Sequence, residues 1–102
     1  MNSNEYMSKS WDTIKYRPMT PEAKLYASLG LCGEAGEVAN IVKKEWRDGK
    51  LTREEMQREL QDEMGDIFWY LSVLCLEYDL SFESIMAFNI AKLKERYKSC
   101  LK

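Results

Sequence analysis

Four carboxylates stand out by their spacing. Glu34 and Glu37 lie in Gly33-Glu34-Ala35-Gly36-Glu37, and Glu63 and Asp66 in Glu63-Met64-Gly65-Asp66. Residues three apart on a helix share a face one turn apart, so each pair offers two oxygen donors in one direction. Four carboxylates gathered in one site repel each other unless a cation neutralises them. Hard oxygen donors at this density suit Mg²⁺, with Mn²⁺ as a substitute. Because Mg²⁺ usually completes its coordination with water and substrate phosphates, the chemistry in view is metal-assisted work on a phosphate ester or anhydride. Spacing alone does not decide this, since Glu45/Asp48 and Glu59/Asp62 repeat it. Those two pairs flank a loop among other charges and read as solvated. The first two keep different company. Glu34 and Glu37 sit among Leu31, Ala35 and Val38, and Asp66 directly precedes the most apolar run of the chain, where a charge needs a partner or a metal.

A second constellation lies near the end of the chain. Asn89, Lys92 and Arg96 follow i, i+3, i+7 spacing, with Tyr97 at the edge of their face. One amide, two cations and a phenol could hold a polyphosphate tail; on spacing alone, a solvated charged face accounts for them as well. Lys43 and Lys44 stand near a helix C-terminus, where cations complement the dipole without any ligand. Trp11, Trp46 and Trp69 read as core or interface residues, and Trp11, in an irregular stretch, is the best placed of the three for a ligand lid.

Composition removes several alternatives. The 102 residues include no histidine, which excludes Ser-His-Asp and Cys-His catalysis, His-ligated zinc and the Glu-x-x-His di-iron bundle. Fifteen basic against 17 acidic residues give a formal net charge of −2, too little positive field for a general nucleic-acid binder. No GxxxxGK[ST] loop occurs. Cys32, Cys75 and Cys100 form no CxxC pair; Cys32 and Cys75, in apolar surroundings, are expected in the core. The run from Ile67 to Leu76, broken by Ser72, is far short of a membrane span. With no charged-then-apolar leader at the start, a reducing, cytoplasmic setting is expected.

The elements that must position these residues are helical. Residues 1–19 carry no clear period and read as an N-terminal arm, with room for a short helix; residues 20–102 read as the main domain. Thr20-Pro21-Glu22 is a strong helix start, and the pattern runs to about Trp46 before Asp48-Gly49. Thr52 with Glu55 makes a capping box for a second helix reaching about Tyr78. Ser81 opens a third, to about Lys98. No segment alternates like a strand, so the expected fold is all-α, with three main helices. The short connection makes the first two main helices antiparallel and sets the two acidic pairs at one level. The first main helix has two apolar stripes, one of Leu25, Leu29, Cys32, Ala39 and Val42, the other of Leu31, Val38 and Ile41. The second is apolar nearly all round beyond Asp66 and must be covered all round. At roughly 1.5 Å per residue it is about 40 Å long. A bundle completed by oligomerisation, as a homodimer or homotetramer, is expected, with a monomer carrying an exposed apolar patch as the alternative. Gly30, Gly33 and Gly36 inside the first main helix cost roughly 3 kcal/mol of propensity, which close packing or room for metal and phosphates would offset.

Three blocks, Gly30-Leu-Cys-Gly-Glu-Ala-Gly-Glu-Val38, Glu63-Met-Gly-Asp-Ile-Phe-Trp-Tyr-Leu71 and Asn89-Ile-Ala-Lys-Leu-Lys-Glu-Arg-Tyr97, together resemble the MazG-like nucleotide pyrophosphohydrolases. The resemblance spans roughly residues 20–98 and implies an all-α oligomer that hydrolyses a nucleoside triphosphate to the monophosphate and pyrophosphate with Mg²⁺. It implies Glu34, Glu37, Glu63 and Asp66 as metal ligands, with Glu37 or Glu34 also accepting the proton of the attacking water. Asn89 and Lys92, closed by Arg96 and Tyr97, would hold the phosphates. Gly33 stands where the family's EExxE motif has its first glutamate. A binding module without turnover, a purely structural helical oligomer and a phosphoesterase acting on another substrate remain as alternatives.

Overall fold

The computed structural model describes residues 1–98, and among them forms four α-helices and no strand: α1 (Ser3–Asp12), α2 (Pro21–Asp48), α3 (Arg53–Glu77) and α4 (Phe82–Arg96). Each start is set by a side chain accepting the N–H three residues on: Asn2 from Glu5, Thr20 from Ala23, Thr52 from Glu55 and Ser81 from Ser84. Between α2 and α3, Gly49 takes the left-handed conformation (φ 60°) that ends α2. The Glu45 carboxylate then accepts the Leu51 N–H at 3.0–3.1 Å, so the turn of the hairpin is tied back onto the helix it leaves. The arm contains the ten-residue α1, and α2 runs two residues past Trp46.

The antiparallel α2 and α3 meet along a seam with residues every third or fourth position. From α3 it takes Met56, Leu60, Glu63, Ile67, Tyr70, Leu74 and Glu77, all buried or half-buried; from α2 it takes Ala23, Ala27, Gly30, Glu34, Val38, Ile41 and Glu45. Of the two apolar stripes on α2, the one containing Leu31, Val38 and Ile41 is therefore the packed one. The other points outward: Leu25 and Leu29 are 60% and 64% exposed. Cys32 shares that outward stripe and is exposed, which corrects its expected place in the core; Cys75 is buried as expected. Cys100 lies outside the described residues.

The opposite side of α3 carries α1. Ser10 and Ser72 hydroxyls meet at 2.6 Å in the buried contact, beside Met7 and Val73, and Tyr6 packs edge-on to Phe68 and stacks on Phe82. The start of α4 is tied to α1 where the Phe82 N–H points at Met7 Sδ, yet α4 has no buried residue. Phe88 is 72% exposed, and Met86 and Ile90 are each more than half exposed. The radius of gyration is 16.6 Å, against about 13 Å for a compact domain of this length. The accessible area is 7996 Å², against about 6000 Å² for a folded monomer of this mass. None of the described helices is long and apolar enough to cross a membrane.

Candidate metal centre

Three levels of the α2–α3 seam carry glutamates. At the loop end Glu45 accepts a backbone N–H from Leu51, and at the open end Glu77 accepts one from Met19 at 2.8 Å. The middle level differs. Glu34 from α2 and Glu63 from α3 face each other where such seams hold apolar side chains, and no backbone donor answers them. With Asp66, one turn beyond Glu63, they place three carboxylate oxygens within 4.8 Å of one another. Among the described residues, Glu34 Oε2 is buried with no hydrogen-bond partner, an acceptor that costs free energy until something positive meets it.

The electrostatics follow from this crowding. The Glu34 carboxyl is pushed up to about 7, first by a carboxyl–carboxyl contact with Glu63 that is a hydrogen bond only while one of them keeps its proton. Burial and the charges of Asp66, Glu63 and Glu37 add to the effect. A proton is thus the cation that this site holds by itself near neutrality. Oxygen donors alone, three of them converging and one buried without a partner, fit Mg²⁺ or Mn²⁺.

Glu37 stands outside the close trio. Three residues beyond Glu34 along α2, it lies a turn further along the axis and off the seam, and lines a neighbouring cavity of about 280 Å³ with Asn40, Lys44 and Lys50. Its charge still reaches Glu34. Asn89 and Lys92 line a groove of about 470 Å³ with Leu80, Ser84 and Phe88. The Arg96 guanidinium lies over the Tyr97 ring, 5.9 Å from its centroid. Trp11 lines a cleft of about 730 Å³ with Met19, Leu76 and Asp79. None of the three clustered carboxylates is among the residues lining either space.

Beside the carboxylates stands an aromatic wall that residue spacing alone does not single out. Tyr70 lies one turn beyond Asp66 and fills the space left by Gly30, where a Cβ would overlap its ring. Tyr26 is 6.1 Å from Tyr70 and Tyr16 is 4.7 Å from Tyr26, centroid to centroid. Trp69 closes edge-on to both Tyr16 and Tyr70 and donates its indole N–H to Thr13 Oγ1 at 2.7 Å. Burial raises the Tyr70 phenol first, then contact with Tyr26 and the charges of Glu34 and Asp66. One sequence signal does point to it: Tyr70 follows Glu63 by seven residues and so shares its seam.

The fold is all-α, with a mid-helix carboxylate cluster across an antiparallel helix pair. Comparison with known families matches residues 23–101 to the MazG nucleotide pyrophosphohydrolase domain, and the chain belongs to that family. It is similar to Gene 37 protein of Mycobacterium phage L5, at 42% identity over 77 residues, which covers 74% of this chain and 67% of the phage protein. No solved structure matches it.

Proposed function

We propose that the protein is a cytoplasmic, Mg²⁺-dependent nucleoside triphosphate pyrophosphohydrolase that converts an NTP or dNTP and water to the monophosphate and pyrophosphate. Family membership supports the reaction class. The observation that carries the assignment to particular residues is the middle level of the seam, where Glu34, Glu63 and Asp66 converge and Glu34 Oε2 has no partner. Glu34, Glu63 and Asp66 would hold the metal, with Glu37 adding a fourth carboxylate from the next turn. The bound metal would supply charge neutralisation for the phosphates and the departing pyrophosphate. Glu34, or Glu37 from its more open position, would accept the proton of the attacking water.

Asn89 and Lys92, with Arg96 and Tyr97, would grip the phosphate tail, and Trp11 would close over the nucleotide. The spaces lined by Asn89, Lys92 and Trp11 do not include the clustered carboxylates, and here the apolar surface bears on function. About 2000 Å² more area is exposed than a monomer of this mass should show, and Leu25, Leu29, Phe88 and Ile90 are among the apolar residues that contribute to it. That surplus is the size of a stable protein interface. A homodimer or homotetramer would cover it and bring α4 of one subunit to the carboxylates of another.

The test is pyrophosphate release from a panel of ribo- and deoxyribonucleoside triphosphates, with and without Mg²⁺, using Glu63→Gln as control. Metal-dependent release lost in the variant is the expected result. Silence across the panel with a thermal shift on adding Mg²⁺ and nucleotide would indicate a binding module instead.

A further inference from the structure

Glu77 is the last residue of α3 and the end of its seam face, and it is 4% exposed. A carboxylate that deep is rare without partners on both oxygens. Here Oε2 accepts the Met19 N–H at 2.8 Å, while Oε1 is buried without a partner. Met19 is itself unusual, a non-glycine residue in the left-handed region (φ 62°) immediately before the Thr20 cap of α2. The structure around such a residue must over-determine its conformation, and the part-buried bond from its N–H to the Glu77 carboxylate does so.

Three residues before Met19, the Tyr16 hydroxyl is the other buried oxygen near this turn with no partner. Burial raises the Tyr16 phenol, and the charge of Glu77 raises it further. From Tyr16 the contacts run onward: its ring packs on Tyr26, Tyr26 on Tyr70, and the Tyr70 phenol lies in the field of Glu34 and Asp66.

We propose that Glu77 is a positioning residue, which from the open end of the seam fixes the Met19 turn and, through Tyr16, the tyrosine wall beside the clustered carboxylates. It touches neither metal nor substrate. The seam therefore has acids with two duties: Glu34 and Glu63 in the middle hold the cation, and Glu77 at the end holds the wall that bounds the space next to it. Its consequence for turnover rests on the reading of those carboxylates as the working site.

Nuclear magnetic resonance of the full chain with ¹³C-labelled tyrosine rings, read beside pyrophosphate kinetics, tests the proposal. Glu77→Leu removes the acceptor, while Glu77→Gln keeps a carbonyl oxygen for the Met19 N–H. In the leucine variant the Tyr26 and Tyr70 ring signals should move and KM for the triphosphate should rise about tenfold, the scale of an outer-shell loss, with kcat changed much less. The glutamine variant should restore both towards wild type. Unmoved Tyr26 and Tyr70 signals in a folded Glu77→Leu protein would overturn the proposal. Should that variant not fold, Tyr16→Phe replaces it, and Tyr26 and Tyr70 signals at their wild-type positions would overturn it equally. A wild-type protein that releases no pyrophosphate would remove the proposed function, while the tyrosine signals would still decide the role of Glu77.

Discussion

Glu34 and Glu63 face each other at one level of the α2–α3 seam, each half-buried, with Asp66 close enough that the oxygens of all three lie within 4.8 Å. The same helix pair solves the problem of a seam acid twice elsewhere, by giving Glu45 the Leu51 N–H and Glu77 the Met19 N–H. Only the middle pair is left facing another carboxylate. Once both carboxyls are ionised, such a pair at a packing position destabilises the metal-free fold.

Removing one partner should therefore separate stability from metal binding. Glu63→Gln gives Glu34 an amide donor in place of a charge. Its metal-free melting temperature should rise by about 4–8 °C if the relieved repulsion is worth about 1 kcal/mol. The stabilisation that Mg²⁺ confers on the wild type should vanish, and any pyrophosphohydrolase activity should fall by more than about 100-fold, beyond the range of an outer-shell change. Differential scanning calorimetry with and without Mg²⁺, beside the activity assay, reads all three. A variant that kept its Mg²⁺ shift would place the metal elsewhere.

The raised Glu34 carboxyl makes stability depend on pH in a direction unusual for an acid. Its folded pKa of about 7 lies above its ordinary value of 4.5, so between those two pH values the folded state binds the proton that the unfolded state has lost. By linkage, the contribution of this group is fully present below about pH 4.5 and is lost as pH rises through about 7. The metal-free protein should melt lower at pH 8 than at pH 5.5, and Glu34→Gln should flatten that slope. Since a metal must displace the same proton, Mg²⁺ affinity should climb across this window and level off above it. Calorimetric titration at several pH values checks the second statement, and a pH-independent affinity would contradict it.

Much of this is legible in the sequence. The caps Thr20, Thr52 and Ser81 and the stop at Gly49 mark three of the four helices, because capping depends on local residue types. The acidic pairs mark the proposed site, because helical spacing is also local. Sequence cannot rank the two apolar stripes of α2, since both have helical periodicity and only packing against α3 decides. Cys32 is exposed for that reason, as it belongs to the outward stripe. Glu37 and Glu34 look equivalent as an i, i+3 pair, yet the seam selects Glu34. The Met19 turn and the role of Glu77 depend on a contact between residues far apart in sequence, and no local pattern carries that information.

The glycines of α2 are distinguishable in the same way. Gly30 is required, because any Cβ there would overlap the Tyr70 ring. Gly30→Ala should lose about 1–3 kcal/mol to overpacking, more than the roughly 1 kcal/mol that alanine returns in helix propensity. Gly33 has open space around its missing Cβ. Gly33→Glu should therefore fold, and by restoring the first glutamate of the family motif it should tighten Mg²⁺ binding. Denaturant unfolding and metal titration should separate the two variants, with Gly30→Ala less stable than the wild type and Gly33→Glu binding the metal more tightly.

The groove beside α4 and the exposed apolar face next to it lead to the last prediction. Asn89 and Lys92 line a groove that none of the clustered acids reaches, while α4 leaves Phe88 and Ile90 largely exposed. If a second subunit covers that face and lends its Lys92 to the carboxylates, Glu63→Gln and Lys92→Ala damage opposite halves of a shared site. Each variant alone should be inactive. Unfolded and refolded together, they should form mixed oligomers in which one site combines the intact Glu63 of one subunit with the intact Lys92 of its partner, and pyrophosphate release should return. Light scattering establishes the oligomer, and mass spectrometry of the native assembly establishes mixing. Mixed assemblies that remain silent would mean that each subunit uses its own α4, or that Lys92 does not serve the phosphates.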